Sequence, residues 1–225
     1  RFAAVRFPLA VVRDLARLNG ARVSDVLMGT VAGGLRRVLL ERGMLSPGGT
    51  ELLRISVPLM VRRPGDSPTG NLTAAVMMDL PLGPATEVER LAQTALDSRR
   101  LRGGTRALAA RFVMGTLGQV LSPPAHAWFA RTVYGGRFFQ AIVSNIPGPP
   151  HGLSLAGAPL IGAYPILPLA PGAPLVVGAM GWNGELCLGV TTDPAFLPDA
   201  EPLATAILAA FEELRGHSAL PEGRP

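Results

Sequence analysis

Lysine is missing from this sequence: all 21 basic side chains are arginine. Cys187 is the one thiol, which excludes a disulfide framework within the chain and a cysteine-built zinc site, and is compatible with a reducing compartment. The three histidines, His126, His151 and His217, have no second histidine or carboxylate at metal-ligand spacing. No oriented general base is therefore spelled out, since the ring needs a partner to hold it. A G-x-S-x-G elbow, a phosphate loop and a dinucleotide fingerprint are also lacking. Aromatic residues make up only 5%, and no zinc-finger spacing or stacking signature occurs, which sets nucleic acid aside as a partner. The opening RFAAVRFPLA has neither an initiator methionine nor the apolar run of a signal peptide, so a piece of a longer or processed chain is expected.

Charge is absent too from one long stretch, Phe138 to Gly184. Prolines at 147, 149, 150, 159, 165, 168, 171 and 174 interrupt it. A membrane-spanning helix needs about 20 largely unbroken apolar residues, which this stretch cannot supply. Consecutive buried strands joined by tight turns are expected instead. A 48% apolar content against 16% charged argues for a folded core, and 225 residues suffice to bury one.

What is present reads as interleaved helices and strands. Pro8 to Asn19 carries an apolar stripe at 9, 11, 12, 15 and 18, with Pro8 in its first turn and Gly20 as its stop. A second helix runs to Gly43 with Ser24 as N-cap and Asp25 in the first turn, where it suits the helix dipole. Gly29, Gly33 and Gly34 inside it each cost about 1 kcal/mol relative to alanine, so a closely packed neighbour is expected there. Strands at 52–60 and 72–80 precede a helix capped near Thr86. Helices are expected at 105–121 and 124–134, then strands at 138–144, 152–156, 159–167, 174–182 and 185–192. The last two flank Asn183-Gly184, a favoured two-residue hairpin turn. An amphipathic C-terminal helix precedes a frayed tail at 217–225. The expectation is an α/β two-layer sandwich of mixed sheet and helices, with residues 1–216 in one unit.

The charge is lopsided. Residues 1–111 hold 17 arginines and 9 acids; residues 112–225 hold 4 and 7. The densest patch, Ser98 to Arg111, includes Arg99, Arg100, Arg102 and Arg106 and no acid. A solvated helix face is the commonest origin of such a patch; an anionic membrane or a phosphate-bearing ligand are the functional readings. Few polar residues look placed: Ser24-Asp25, Gly70-Asn71 and Ser144-Asn145. Each also has an ordinary reading as a cap or a turn.

Taken in order, VSDVLMGTVAGGLRRVLLERG, LRISVPLMVRR, TGNLTAAVMMDLPLG, AIVSNIPGPP, LAGAPLIGAYPILPL and NGELCLGVTTD resemble the C-terminal half of bacterial wax ester synthase/diacylglycerol acyltransferases. The resemblance covers about residues 5–215, and Ser-Asn-Ile-Pro-Gly-Pro is its most specific block. It implies a lobe similar to the coenzyme A-dependent acyltransferases related to chloramphenicol acetyltransferase, with the active site in a tunnel between two lobes. It implies transfer of a fatty acyl group from acyl-CoA to diacylglycerol or a long-chain alcohol, with acyl-CoA as substrate and no bound cofactor or metal. The family's catalytic His-His-x-x-x-Asp-Gly motif belongs to an N-terminal lobe and does not occur here, so this chain by itself is expected to be inactive. Ser24 and Asp25 match the family's Asn-Asp motif, and Ser144, Asn145, Pro147 and Gly148 match its Asn-x-Pro-Gly-Pro block, as supports of the active site.

Two positions depart from the family. Serine at 24 offers a hydroxyl on a shorter stem where asparagine offers a carbonyl and an amide. Met60 stands where a small polar residue is expected. Both departures point to shifted substrate choice or weakened activity. The arginines at 99, 100, 102 and 106 would meet an anionic membrane or lipid-droplet surface, or coenzyme A phosphates, in a cytoplasmic, peripherally attached enzyme. The competing expectation is a non-catalytic lipid-binding or interaction module. The enzyme lobe predicts an exposed apolar face for its partner lobe to cover; the module predicts a polar one.

Overall fold

A computed structural model describes residues 1–60, 73–103, 122, 124–125, 138–149 and 152–218 of the chain. Its centre is a six-stranded mixed sheet in the order β1-β8-β7-β4-β2-β3. The strands are β1 (Phe2–Pro8), β2 (Leu52–Met60), β3 (Thr73–Pro81), β4 (Ala141–Ile146), β7 (Leu175–Trp182) and β8 (Glu185–Thr192); β5 (Ser154–Leu155) and β6 (Ala158–Pro159) form a separate small hairpin. β4 pairs in parallel with both β2 and β7, while the remaining pairs are antiparallel. Helices α1 (Leu9–Leu18), α2 (Val23–Glu41), α3 (Glu87–Gly103) and α4 (Glu201–His217) supply the second layer.

Strand side chains alternate between the two faces. Ala3, Phe7, Val143, Val177, Ala179, Leu188 and Val190 join the helical residues Val31, Leu35, Ile207 and Phe211 in one continuous core. Phe7 stacks on Phe211 with ring centroids 4.2 Å apart. The glycines of α2 explain how the helices fit. A Cβ at Gly34 would lie 2.7 Å from the backbone nitrogen of Ile207 in α4, and one at Gly33 would strike the Glu87 carboxylate of α3. Gly29 faces Leu91 of α3 at ordinary contact distance. The close neighbour expected for this helix is thus two helices.

Between α2, α3 and α4 lies a charged cluster. Arg90 is 1% exposed; it donates to the carbonyls of Pro81, Gly83 and Ala85 and pairs with Glu87 at 3.3 Å. Arg37 reaches Glu87 at 3.4 Å and Glu213 at 2.6 Å. Burial pushes the Glu87 carboxyl above its ordinary range, while Arg90 and Arg37 pull it back.

The opposite face is covered differently. Gly178 and Gly189 are cross-strand partners, and a Cβ on either would meet Pro165. The chain from 160 to 169 lies across that glycine pair as a strap outside any ladder.

Several expectations need correcting. β1 was unanticipated: Phe2 and Ala4 are as apolar as the residues facing the core, so its sequence shows no polar alternation. The N-cap of α2 is Arg22, not Ser24, which sits inside the first turn. Pro8 is the N-cap of α1 and lies outside the helix. The strand expected at 159–167 shrinks to Ala158–Pro159, because the strap packs on the sheet face and joins no edge. The strand expected at 152–156 is only Ser154–Leu155, and β4 runs on to Ile146 where an end at 144 was expected. His217 closes α4 and does not begin the tail. The helices expected at 105–121 and, beyond residues 124–125, at 124–134 lie outside the described residues. The turns came out as read. Asn183 and Gly184 both have positive φ, 45° and 82°, as the favoured hairpin turn requires. Thr86 and Glu89 cap α3 reciprocally, with Thr86 N–H donating to Glu89 Oε2 at 2.9 Å and Glu89 N–H to Thr86 Oγ1 at 3.2 Å.

Candidate functional site

A cleft of about 720 Å³ opens where β4 and β7 end and α1 and α2 begin. One wall is Asn145 to Pro149, another is Leu9, Arg13 and Val23, and the floor is Gly181 to Gly184 with Leu186. The parallel pairing of β4 with β7 brings both strand ends to this edge. The Leu9 N–H donates to the Gly184 carbonyl at 2.8 Å, which ties the start of α1 to the β7–β8 turn. Gly148 lets the proline-rich wall close on β7, because a Cβ there would collide with the Gly181 carbonyl oxygen. Trp182 is buried beneath and donates its indole N–H to the Leu160 carbonyl at 3.2 Å.

The fold separates residues that are neighbours in sequence. Asn145, Pro147 and Gly148 line the cleft. Ser144 does not: it pairs with Gly178, whose open side faces Pro165 and Leu167, so its side chain lies on the strap face of the sheet. Ser24 and Asp25 also lie outside the lining, although Val23 belongs to it. Asp25 is 1% exposed and its Oδ2 accepts the Arg22 N–H at 2.9 Å, an end-of-helix role. Arg99 donates to the Gly20 carbonyl at 2.8 Å, bracing the α1–α2 connection, and Arg100 approaches Asp97 at 3.5 Å. The side chains of Arg102 and Met60, and all of Gly70, Asn71, Arg106, His126 and His151, lie outside the described residues. His217 Nδ1 sits 2.8 Å from the Glu213 carbonyl oxygen on the exposed end of α4, outside the cleft. Sequence reading missed Arg13. It shares the polar side of a short helix with Asp14 and Arg17, and only the fold brings that helix beside Asn145. The sole sequence signal was its place on α1, upstream of the dense arginine patch.

The sequence profile of the WS/DGAT C-terminal domain matches residues 69–215. The chain belongs to that family. Among relatives of this WS/DGAT domain, a Mycobacterium tuberculosis H37Rv protein assigned, without proof, as a diacylglycerol O-acyltransferase is 28% identical over 219 residues, 95% of this chain and 43% of its own length. A second protein of that organism, Tgs4, assigned in the same way, is 28% identical over 94% of this chain and 44% of its own. The chain therefore spans less than half the length of these relatives. In structure it superposes on a wax ester synthase/diacylglycerol acyltransferase from Marinobacter aquaeolei VT8 with a TM-score of 0.72 at 21% identity, covering 98% of this chain and 49% of that one. The first condensation domain of the CDA synthetase shares the fold at a TM-score of 0.56 and 14% identity, over 99% of this chain and 46% of that domain. The mixed α/β lobe expected from the sequence is thus the fold of this family. No helix among the described residues is long and apolar enough to cross a membrane.

Proposed function

We propose that this chain is the C-terminal lobe of an O-acyltransferase that moves a fatty acyl group from acyl-CoA to diacylglycerol or a long-chain alcohol. The observation that carries the reading is the match of a C-terminal domain profile to a chain spanning about half of each relative. An exposed apolar surface supports it. Leu155 is 83% exposed and Ile161 86%, with Leu153, Leu160 and Ile166 beside them in sequence. Such a surface calls for a cover, and the family's N-terminal lobe is the cover this reading assigns. A free-standing interaction module would instead carry polar residues there.

The reaction follows acyl-transfer chemistry. A histidine of the N-terminal lobe takes the proton of the acceptor hydroxyl. The oxygen attacks the thioester carbonyl, and hydrogen-bond donors hold the resulting oxyanion. The intermediate collapses to ester, and the coenzyme A sulfur leaves with the proton. This lobe contributes walls and positioning through Asn145, Pro147 and Gly148, with no cofactor and no metal in the step. Residence at a cytoplasmic membrane or lipid-droplet surface belongs to the same proposal.

Thiol release from acyl-CoA with hexadecanol or diacylglycerol tests it, in the full reading frame and in this chain by itself. Turnover is expected only in the full reading frame. Turnover by this chain would place the base among its own residues and overturn the mechanism.

A further inference from the structure

We infer that Arg13 binds a phosphate group of acyl-CoA in the cleft beneath Asn145–Pro149, an assignment that rests on the acyltransferase reading above. The cleft walls combine apolar side chains, with Leu9, Val23, Pro147 and Leu186 prominent, and the uncharged polar groups of Asn145 and Asn183. Among the described residues Arg13 is the one charged side chain in the lining, and no described carboxylate belongs to it. It is exposed, and no described residue accepts a hydrogen bond or forms an ion pair with its guanidinium, whereas Arg17 on the same helix is paired with Asp14 at 2.8 Å. A cation unopposed by acid in a cleft of otherwise uncharged groups favours an anion carried on an otherwise uncharged molecule. Acyl-CoA is such a molecule: its phosphates sit at one end of an uncharged arm bearing two amides. Asn145 and Asn183 line the same cleft and offer carboxamides that can both donate to and accept from those amides. A volume of about 720 Å³ suits a segment of this size, with the adenine and the acyl chain extending beyond it. Arg99 and Arg100 are engaged with Gly20 and Asp97 and line no part of the cleft.

The test uses the full reading frame, as wild type, Arg13→Gln and Arg13→Lys. Loss of one charge-assisted contact raises KM for palmitoyl-CoA about tenfold in Arg13→Gln, with kcat and the acceptor KM unchanged. The dissociation constant for coenzyme A itself, measured by calorimetry, shifts by the same factor, and Arg13→Lys recovers part of it. The wild-type KM rises with ionic strength more steeply than that of Arg13→Gln. Equal KM and equal coenzyme A affinity in wild type and Arg13→Gln would overturn the assignment and leave the acyltransferase reading standing. Wild-type protein with neither turnover nor coenzyme A binding would overturn both. If Arg13→Gln loses affinity for phosphatidic acid vesicles but keeps it for coenzyme A, the cleft serves a lipid headgroup and the assignment fails.

Discussion

The two faces of the sheet pose the same problem, covering apolar strands, and meet it in different ways. On one face α2, α3 and α4 press together through Gly33 and Gly34 and enclose an Arg90–Glu87 pair that is cut off from water. On the other, among the described residues, a strap crosses Gly178 and Gly189 and leaves Ile161 and Ile166 in solvent, and the charge pair Arg54–Asp79 across β2 and β3 is exposed. The contrast separates the face that this chain packs for itself from the face where its described residues leave apolar side chains in solvent. It also shows two causes shifting carboxyl groups in opposite directions: burial raises Glu87, whereas the hydrogen bond from Arg54 lowers Asp79.

Breaking the finished face has the largest effect. Arg90→Met leaves Glu87 only its longer contact with Arg37 and takes the donor from three carbonyls, and chemical denaturation should show a loss of about 3–5 kcal/mol. Glu87→Gln leaves Arg90 its carbonyl partners and should cost less, about 1–3 kcal/mol in the same measurement. Gly34→Ala drives a methyl into the α4 backbone; overpacking of about 1–3 kcal/mol exceeds the helix-propensity gain of about 1 kcal/mol, so the midpoint should fall. Thr86→Ala removes one half of the reciprocal cap on α3 and should cost about 1 kcal/mol by thermal unfolding.

The open face should answer most weakly. Asp79→Asn removes an exposed pair and should cost at most about 0.2–1 kcal/mol at neutral pH. The sign of its pH dependence is set by the lowered carboxyl. Its contribution is present above the unfolded-state pKa and is lost as pH falls through the folded-state value, so the wild-type and variant curves should converge in acid. Glu87, raised by burial, works the other way: its contribution is present below the unfolded-state pKa and is lost as pH rises through the folded value. A difference between Asp79→Asn and wild type that survives in acid would mean the two faces are less distinct than their burial indicates.

Much of the helical face was legible beforehand. Three glycines in an otherwise strong helix announce a close neighbour, Thr86 announces a helix start, and Asn183-Gly184 announces a hairpin. Each signal is local, because the interaction that produces it spans a few residues. The site was less legible. Ser144 and Asn145 read as a pair, yet β4 runs through them, and a strand sends consecutive side chains to opposite faces. Ser24 read as a cap, but the helix starts a turn-fraction earlier, at a junction whose backbone the Asp25 carboxylate secures.

The sequence by itself determined the helices with caps and stripes, the Asn-Gly hairpin, the mixed α/β character and, through its ordered motifs, the family. These rest on local backbone preference and on hydrophobic periodicity, which are written in neighbouring residues. Tertiary structure decided the pairing of β1 with β8 across nearly the whole chain, the strap over the glycine pair, and the meeting of Arg13 with Asn145 in one cleft. Those depend on which distant surfaces bury one another, and no short window of residues encodes that choice.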